Sequence, residues 1–379
     1  MYKPVSAASG TVYKHVAKPI LFKMKPDTVH HRMLGSAIRL QKSKFIKGTL
    51  DKSWAYHNPA MLGQTLHGIT FDNPIGLSAG LDANFELAPM LKAIGFGLME
   101  GGSLTYQPCE GNPRPWFYRV PSAKSLVVNK GLANRGVDAI MEHIKSYPKD
   151  TFKDFRLNIS VAKTNSPVAC TEDEAVADYL GSLKAIKKAK VGDMITINLS
   201  CPNTYAGEPF TTPKRLEHLL REVDKLKLEQ PLFIKMPSHL EWKEFDGLLK
   251  VIIKHRVTGV TISNLGKNRE PLEKSGVLPT HIPGKLSGKP TYETSNMLIA
   301  STYRRYGDKL TIIGVGGVFS AEDAYTKIKL GASLVELITG MIFEGPQLIG
   351  QINRGLVDLL KKDGLANISQ AIGMDNKRP

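Results

Sequence analysis

The chain has 379 residues, 42% of them hydrophobic, which is enough for a large core, and α/β barrels use about 250 residues as one unit. Its three cysteines (Cys109, Cys170 and Cys201) are widely spaced and lack a CxxC pair, which argues against a disulfide framework or a zinc site and favours a reducing compartment. The net charge of +16 favours an anionic partner. No apolar run approaches the roughly 18 residues that span a bilayer and no secretory signal is recognisable, so we expect a soluble or peripheral protein.

Residues 1–66 form a basic segment that differs from the rest of the chain. The first 50 residues contain ten Lys and Arg against one acid, which is over half of the net charge. Apolar residues recur at helical spacing at 12–20 and 33–38, which predicts two short amphipathic helices broken near Pro26. Such helices favour an anionic membrane surface; the alternative is a helical pair packed on the main domain. The lack of a binding motif argues against nucleic acid.

From Gly68 onward, after a short hairpin, strand-like runs alternate with helical stretches. The eight predicted strands lie at 75–79, 98–104, 156–161, 194–199, 232–236, 259–264, 310–314 and 334–338. The clearest predicted helices lie at 172–188, 213–227, 241–255, 291–306 and 321–329. This alternation favours a (β/α)8 TIM barrel with a small N-terminal helical extension over an open doubly wound sheet. We place the barrel at 67–363 and a C-terminal tail at 364–379.

Two connections, 105–155 and 266–292, are longer than a helix needs. Such excess is typical of active-site loops or lids. We therefore expect both to lie over the carboxyl ends of the strands, where the active sites of these barrels are found.

The fourth strand leads into the loop I-N-L-S-C-P-N-T at 197–204. Its thiol, Cys201, lies between Asn198 and Asn203, so it could act as a base or nucleophile beside amides that hold a planar polar ligand. The alternative is a turn with a half-buried cysteine.

Small residues follow the last two predicted strands, and these turns are the usual phosphate site of a barrel. Gly316 and Gly317 follow the seventh strand, and Thr339 and Gly340 follow the eighth. Tight turns alone also use glycine, but the pairing of the two turns favours a phosphate site.

Two charged residues near strand ends need an explanation. Lys235 lies in the apolar run P-L-F-I-K-M-P, where an inward ammonium needs an anion, such as a ligand that becomes negatively charged in the reaction. The alternative is a lysine that extends to the barrel mouth. Asp82 follows A-G-L and is expected to cap the next helix rather than act as a base.

Other catalytic patterns are missing from the sequence. There is no cluster of histidines and carboxylates typical of a metal site, no arguable Ser-His-Asp set and no P-loop. We therefore predict no bound metal.

With these residues assembled, the chain resembles the dihydroorotate dehydrogenases, flavin enzymes of pyrimidine synthesis, over nearly its whole length. The motifs that carry the resemblance are N-P-I-G-L-S-A-G-L-D (73–82), E-G-N-P-R-P (110–115), I-N-L-S-C-P-N-T (197–204), K-L-S-G-K-P (285–290), I-I-G-V-G-G-V (312–318) and G-A-S-L-V-E-L (331–337). Several motifs in the family's order are far more specific than any one of them.

The resemblance implies oxidation of (S)-dihydroorotate to orotate, in which Cys201 removes the C5 proton and the hydride passes from C6 to N5 of FMN. The residues that it implies for FMN are Ala79, Gly80, Ser103, Asn158, Asn198, Lys235, Ser263, Gly288, Gly316, Gly317, Thr339 and Gly340. Those that it implies for the pyrimidine are Asn198, Asn203 and Asn264, together with Asn129 or Lys130.

The two ends of the chain are similar to the membrane-associated, quinone-using class of the family. These are the N-terminal extension with H-H-R at 30–32, and D-L-L-K-K-D-G-L and A-I-G-M-D near the C-terminus. This class implies a quinone as electron acceptor and a peripheral membrane protein, at the cytoplasmic face of the inner membrane if the source is bacterial. Cys201 departs from it, since the quinone class places Ser there and Cys is characteristic of the soluble class.

Other departures from the family concern the substrate. The family's lysine after G-L-D is Ala83, its substrate loop N-R-M-G-F-N-N reads V-N-K-G-L-A-N at 128–134, and Leu265 and Ile338 replace a threonine and a tyrosine. They leave open a related flavin oxidoreductase that uses another dihydropyrimidine or a soluble acceptor such as fumarate or NAD. A third alternative is a non-catalytic barrel that binds membranes or an anionic partner through its N-terminus.

Overall fold

The structure, a computed structural model, describes residues 2–167, 171–199 and 207–376. Its strands are β1 (Gln64–Leu66), β2 (Ile69–Phe71), β3 (Ile75–Leu77), β4 (Leu98–Leu104), β5 (Phe117–Val120), β6 (Ser125–Val128), β7 (Arg156–Val161), β8 (Met194–Asn198), β9 (Leu232–Lys235), β10 (Gly259–Ile262), β11 (Lys285–Leu286), β12 (Thr311–Val315) and β13 (Leu334–Leu337). Eight of these described strands, β3, β4, β7, β8, β9, β10, β12 and β13, form a closed parallel barrel in chain order. This confirms the predicted barrel, and each predicted strand overlaps one of the eight.

Helices surround the barrel and precede it. They are α1 (Tyr2–Val12), α2 (Lys18–Lys23), α3 (Pro26–Leu40), α4 (Lys44–Trp54), α5 (Pro59–Leu62), α6 (Ala88–Ala93), α7 (Val137–Lys145), α8 (Glu172–Ala189), α9 (Pro213–Asp224), α10 (Trp242–Ile252), α11 (Glu270–Lys274), α12 (Tyr292–Tyr306), α13 (Ala321–Lys329), α14 (Thr339–Glu344) and α15 (Leu348–Lys362). The five predicted barrel helices correspond to α8, α9, α10, α12 and α13. Their starts follow local chemistry, since Thr171 and Glu174 form a capping box before α8 and the Ser320 hydroxyl caps α13.

The barrel interior changes from apolar to polar along its axis. At the amino ends of the strands, six buried side chains pack in one apolar cluster: Phe71, Leu98, Met194, Phe233, Ile313 and Leu334. Two residues further along β4, β8, β9 and β13, and therefore on the same inward face, lie four buried polar residues: Glu100, Thr196, Lys235 and Glu336. Polar groups in the interior are thus concentrated toward the carboxyl ends of the strands.

The N-terminal helices pack on the barrel. The break between α2 and α3 lies directly before Pro26, as predicted, whereas α4 was not predicted. The Tyr13 hydroxyl donates to the Ile342 carbonyl at 2.7 Å, and the Lys14 ammonium lies 2.5 Å from the Glu344 carboxylate. The N-terminal segment therefore contacts α14 directly. Part of its surface is packed on the barrel domain, as in the alternative to a membrane-bound segment.

The two long connections come together in one antiparallel sheet of β5, β6 and β11. Arg119 of β5 donates to the Met24 carbonyl at 2.7 Å, and Asp27 accepts from the Trp116 amide at 2.9 Å. The sheet is thus tied to the start of α3. Together, the sheet and the N-terminal helices enclose the carboxyl ends of the barrel strands.

Candidate functional site

A cavity of about 400 Å³ lies at the carboxyl ends of the barrel strands. Residues at the strand ends, in the sheet and in the N-terminal helices all contribute to its lining. The predicted site residues that line it are Ala79, Gly80, Ser103, Lys130, Asn198, Lys235, Ser263, Asn264, Gly288, Gly316, Gly317, Thr339 and Gly340. The polar and small residues that end the strands therefore meet in one place.

Glycines after β12 form one side of the cavity. Gly316 and Gly317 have φ angles of +119° and +71°, in the left-handed region that favours glycine. A Cβ at Gly317 would lie 2.5 Å from the Tyr292 Cβ, and one at Gly316 would lie 2.8 Å from the Thr291 hydroxyl. The turn therefore excludes side chains and presents backbone to the cavity, an arrangement that suits an anion.

The turn before α14 lies on the same side. The Thr339 hydroxyl is 2.9 Å from the Ser287 hydroxyl, which links this turn to the loop that contains Gly288. Gly288 has a φ of +78°, and a Cβ there would lie 2.8 Å from Thr339 Cγ2. Three separate turns thus approach each other closely around one small space.

A chain of hydrogen bonds crosses the cavity floor. Asn264 Nδ2 donates to Asn198 Oδ1 at 2.9 Å, and Asn198 Nδ2 donates to Ser103 Oγ at 2.9 Å. The Ser103 hydroxyl lies 2.8 Å from that of Ser160. These bonds fix the orientation of both amides, which can then offer donors and acceptors to a planar polar ligand.

Lys235 meets a buried carboxylate that was not predicted. Its ammonium lies 3.3 and 3.2 Å from the two carboxylate oxygens of Glu100 and 3.2 Å from the Ser78 hydroxyl. The lysine is 4% exposed, so it lies at the cavity floor rather than at the barrel mouth. The same signal that singled out Lys235, a charge within an apolar strand, marks Glu100 in L-M-E-G and Glu336 in L-V-E-L.

The altered loop at 128–134 contributes a cation to the cavity. Lys130 is half-buried, lines the cavity and donates to the Gly80 carbonyl at 3.2 Å. Burial lowers the pKa of Lys130 to about 8, while nearby carboxylates oppose the shift. Asn129 does not line the cavity, and its side-chain oxygen accepts from Asn112 Nδ2 at 3.0 Å.

Asp82 has a structural role, but it is not the predicted cap of the next helix, since the N-cap residue of α6 is Leu87 and α6 has no side-chain capping bond. Its buried carboxylate accepts from the backbone amides of Asn84, Glu86 and Leu87, at 3.3, 3.0 and 2.7 Å. Leu87 is the residue before α6, so the aspartate shapes the turn into that helix. Its hydrogen-bonding capacity is directed to backbone and not to the cavity.

Besides Asn129, three further predicted site residues are not among those that line the cavity in the described part of the chain. Asn158 is fully buried inside the barrel and exchanges hydrogen bonds of 2.8 and 3.0 Å with Thr196. Cys201 and Asn203 lie outside the described residues. Their loop follows Asn198, which does line the cavity.

The cavity has an apolar branch that the sequence did not reveal. It runs between α3 and the region of α6, and its apolar lining consists of Val29, Met33, Leu34, Ala37, Leu87, Met90, Leu91 and Ile94. Tyr13, His30 and Arg119 add polar groups. Burial lowers the pKa of His30 to about 3, so its ring is neutral at physiological pH.

The sequence model of the dihydroorotate dehydrogenase family matches residues 61–360. The chain belongs to this family. A dihydroorotate dehydrogenase (quinone) of Crocosphaera subtropica is 32% identical over 366 residues, which cover 93% of this chain and 95% of that protein. A dihydroorotate dehydrogenase (quinone) of Deinococcus deserti is 32% identical over 377 residues, which cover 96% of this chain and 100% of that protein. The crystal structure of DHODH from Eimeria tenella in complex with ferulenol matches with a TM-score of 0.80 at 26% identity, covering 93% of this chain and 96% of that one.

The similarity to dihydroorotate dehydrogenases extends beyond the barrel. A match that covers 96% of the chain leaves few residues unmatched, so it includes most of the N-terminal helices. These helices provide one wall of the apolar branch. The barrel mouth and the apolar branch therefore both belong to regions shared with relatives whose name specifies a quinone.

Proposed function

We propose that the protein oxidises (S)-dihydroorotate to orotate with FMN, in pyrimidine synthesis, and passes the electrons to a quinone. The observation that carries this proposal is one cavity in which a glycine-lined anion site, the Lys235 ammonium and the Asn198–Asn264 amide pair come together. Membership of the dihydroorotate dehydrogenase family supports the same reaction.

The residues around the cavity fit FMN. The turns at Gly316–Gly317, Gly288 and Gly340 leave no room for a Cβ and line the cavity with backbone, which suits a phosphate. Lys235 places a cation at the floor, where the reduced flavin ring carries more negative charge. We assign the phosphate to the glycine turns and the ring to the floor formed by Ala79, Gly80, Ser103 and Ser263.

Different residues of the chain would bind the substrate and remove its proton. Bound FMN would supply the acceptor for the hydride that leaves C6 of the substrate. Asn198 and Asn264, oriented by their mutual hydrogen bond, hold the amide groups of the pyrimidine, with Asn203 as a further amide. Lys130 supplies positive charge for the substrate carboxylate, and Cys201 takes the C5 proton.

The most direct test of this function is anaerobic mixing of the purified holoprotein with dihydroorotate. We expect the flavin absorbance to bleach, because the substrate delivers its hydride in the absence of any acceptor. A flavin that stays oxidised would exclude dihydroorotate as the substrate.

The apolar branch is the feature that favours a quinone. A quinone has an apolar body with two carbonyl groups, and the branch combines an apolar lining with Tyr13, His30 and Arg119. A cysteine at position 201 is characteristic of the soluble class of the family, so fumarate and NAD are the alternative electron acceptors. We expect a short-chain quinone to reoxidise the reduced protein, and fumarate and NAD not to do so. Faster reoxidation by fumarate or NAD than by the quinone would contradict a quinone as the acceptor.

The glycine turn provides a matched test of FMN binding. Gly317 and Gly364 have the same φ of +71°, but only the Gly364 position has open space around a Cβ. Both Gly317→Ala and Gly364→Ala incur backbone strain of about 1–3 kcal/mol. We expect only Gly317→Ala to weaken FMN binding, by about tenfold or more, in a titration of the apoprotein. Equal affinities of the two variants would contradict a phosphate site at this turn.

We further propose that the N-terminal helices attach to an anionic membrane. Val12, Val16 and Ile20 follow at four-residue spacing and are 58, 55 and 60% exposed, and Lys23 and Lys25 are exposed nearby. Apolar burial and attraction to anionic lipid act together on such a surface. Within the described chain, no helix has the length and apolar character needed to cross a bilayer.

Replacing Val12, Val16 and Ile20 by Ser is expected to reduce binding to phosphatidylglycerol vesicles by about tenfold or more, since each buried methylene contributes about 0.8 kcal/mol. Sedimentation with vesicles measures the effect. Met297→Ser, at a residue on α12 that is 53% exposed, is the control. A loss of binding in the control equal to that in the triple variant would contradict attachment through this surface.

A further inference from the structure

Three buried titratable side chains, Glu100, Lys235 and Glu336, lie on the inward face of the barrel at the level of the cavity floor. Glu100 and Glu336 are 0% exposed and Lys235 is 4% exposed. The Lys235 ammonium lies 3.3 and 3.2 Å from the two oxygens of Glu100. Lys235 lines the cavity, whereas neither glutamate does. Lys235 is therefore the charged member of this group that faces a ligand directly.

The barrel contains space for the second carboxyl group. Glu336 pairs in register with Gly76 of β3. A Cβ at Gly76 would lie 2.7 Å from Leu98 Cγ and 3.1 Å from Glu336 Cγ, so a larger residue would clash with Leu98 and crowd the glutamate. The side chain of Glu336 is thus accommodated by a glycine on the neighbouring strand, beside the Lys235–Glu100 ion pair.

Charge balance limits this cluster to one carboxylate. Two carboxylates and one ammonium would bury a net negative charge, which is strongly unfavourable. Burial raises the pKa of Glu336 well above its ordinary value, and the Glu100 carboxylate raises it further, whereas Lys235 and Ser78 oppose the shift. Glu100 from β4 and Lys235 from β9 are the charged groups that act on it; the facing residues of β12 are uncharged. The direction of this pKa shift and the charge balance both favour the protonated form of Glu336.

We propose that Glu100 and Glu336 hold one proton and one negative charge between them and act as interchangeable counter-charges for Lys235. They are positioning residues, since they act on the ligand through Lys235. If either carboxyl group is removed, the other balances the lysine, and the charge below the ligand stays constant. This proposal concerns the protein alone, and its second test requires from the proposed function only that FMN is bound.

The first test is infrared difference spectroscopy of the full chain at neutral pH. Glu336→Gln removes the protonated acid, and Glu100→Gln makes Glu336 ionise because its carboxylate neighbour is gone and the lysine remains. We expect both variants to lose one protonated-acid C=O band relative to the wild type. Glu344→Gln is the control, since Lys14 and Lys124 hold the pKa of Glu344 below its ordinary value and no acid band is lost. An acid band that persists in either Glu100→Gln or Glu336→Gln would overturn the proposal.

The second test is the reduction potential of the bound flavin, titrated without dihydroorotate. Each single variant is expected to keep a potential close to that of the wild type. In Glu100→Gln/Glu336→Gln the unbalanced Lys235 ammonium should favour the reduced flavin and shift the potential to more positive values, by more than the two single shifts together. Additive shifts would contradict interchangeable counter-charges. If the double variant does not retain flavin, the infrared result on the single variants decides, and failure of the dihydroorotate reaction affects neither test.

Discussion

Replacing Cys201 by Ala is expected to slow reduction of the bound flavin by dihydroorotate about 10²–10⁴-fold, the usual contribution of a general base. The loop I-N-L-S-C-P-N-T places this thiol three residues after Asn198, which lines the cavity. Because the base acts on the C5 proton and not on binding, orotate affinity should change little. Anaerobic stopped-flow mixing measures the rate, and the spectral change of the flavin on adding orotate measures the affinity.

Cys201→Ser separates a thiol base from a merely structural cysteine. An alcohol is harder to deprotonate than a thiol, so the alkaline rise of the reduction rate should move to higher pH. Cys109 is the control, because its thiol donates to the Gly131 carbonyl at 3.4 Å and has no proposed chemical role. A pH profile that is the same in Cys201→Ser and in the wild type would exclude Cys201 as the base.

The barrel could be predicted from the sequence because its strands are buried on both faces. Such strands appear as short apolar runs that end in small or polar residues, and the runs at 194–199 and 334–338 correspond to β8 and β13 with ends shifted by one residue. The strand ends then indicated which residues meet at the active site, since parallel strands share one carboxyl edge. Pattern and topology together therefore predicted most of the cavity floor.

The enclosure of the cavity could not be predicted in this way. β6 and β11 have four and two residues and pair Val128 with Lys285 across more than 150 positions, too short and too distant for a periodic signal. The apolar branch depends on how α3 packs against α6, which is set by tertiary contacts such as the Gln41 hydrogen bonds to Glu86 and Met90. Local patterns carry no information on such pairings.

The direction in which an individual side chain points also could not be predicted from the sequence. Asn129 and Lys130 are adjacent, and the hydrogen bond of Asn129 to Asn112 decides which of the two lines the cavity. Similarly, the inward position of Lys235 was predicted, but its partner Glu100 comes from a strand more than 130 residues earlier. Both outcomes depend on contacts between distant segments.

Replacing Lys130 by Met is expected to weaken orotate binding about 10- to 100-fold, since a hydrogen bond to a charged group contributes about 1.5–3 kcal/mol. The Lys130 ammonium donates to the carbonyl of Gly80, three residues before Ala83, which stands where the family has a lysine. Ala83 is buried and lines the same cavity. The variant Lys130→Met/Ala83→Lys should therefore recover most of the lost affinity, whereas Lys225→Met, at the exposed residue directly after α9, should have no effect.

The pH dependence of orotate binding is an independent test of the role of Lys130. Burial lowers the pKa of Lys130 to about 8, so its ammonium is present below that pH and lost above it. An anionic ligand requires the charged form, so affinity in the wild type should be constant below pH 8 and fall as the pH rises beyond it. In Lys130→Met the affinity should be low and independent of pH over the same range. A decline above pH 8 that persists in this variant would assign the titration to another group and remove Lys130 from the substrate site.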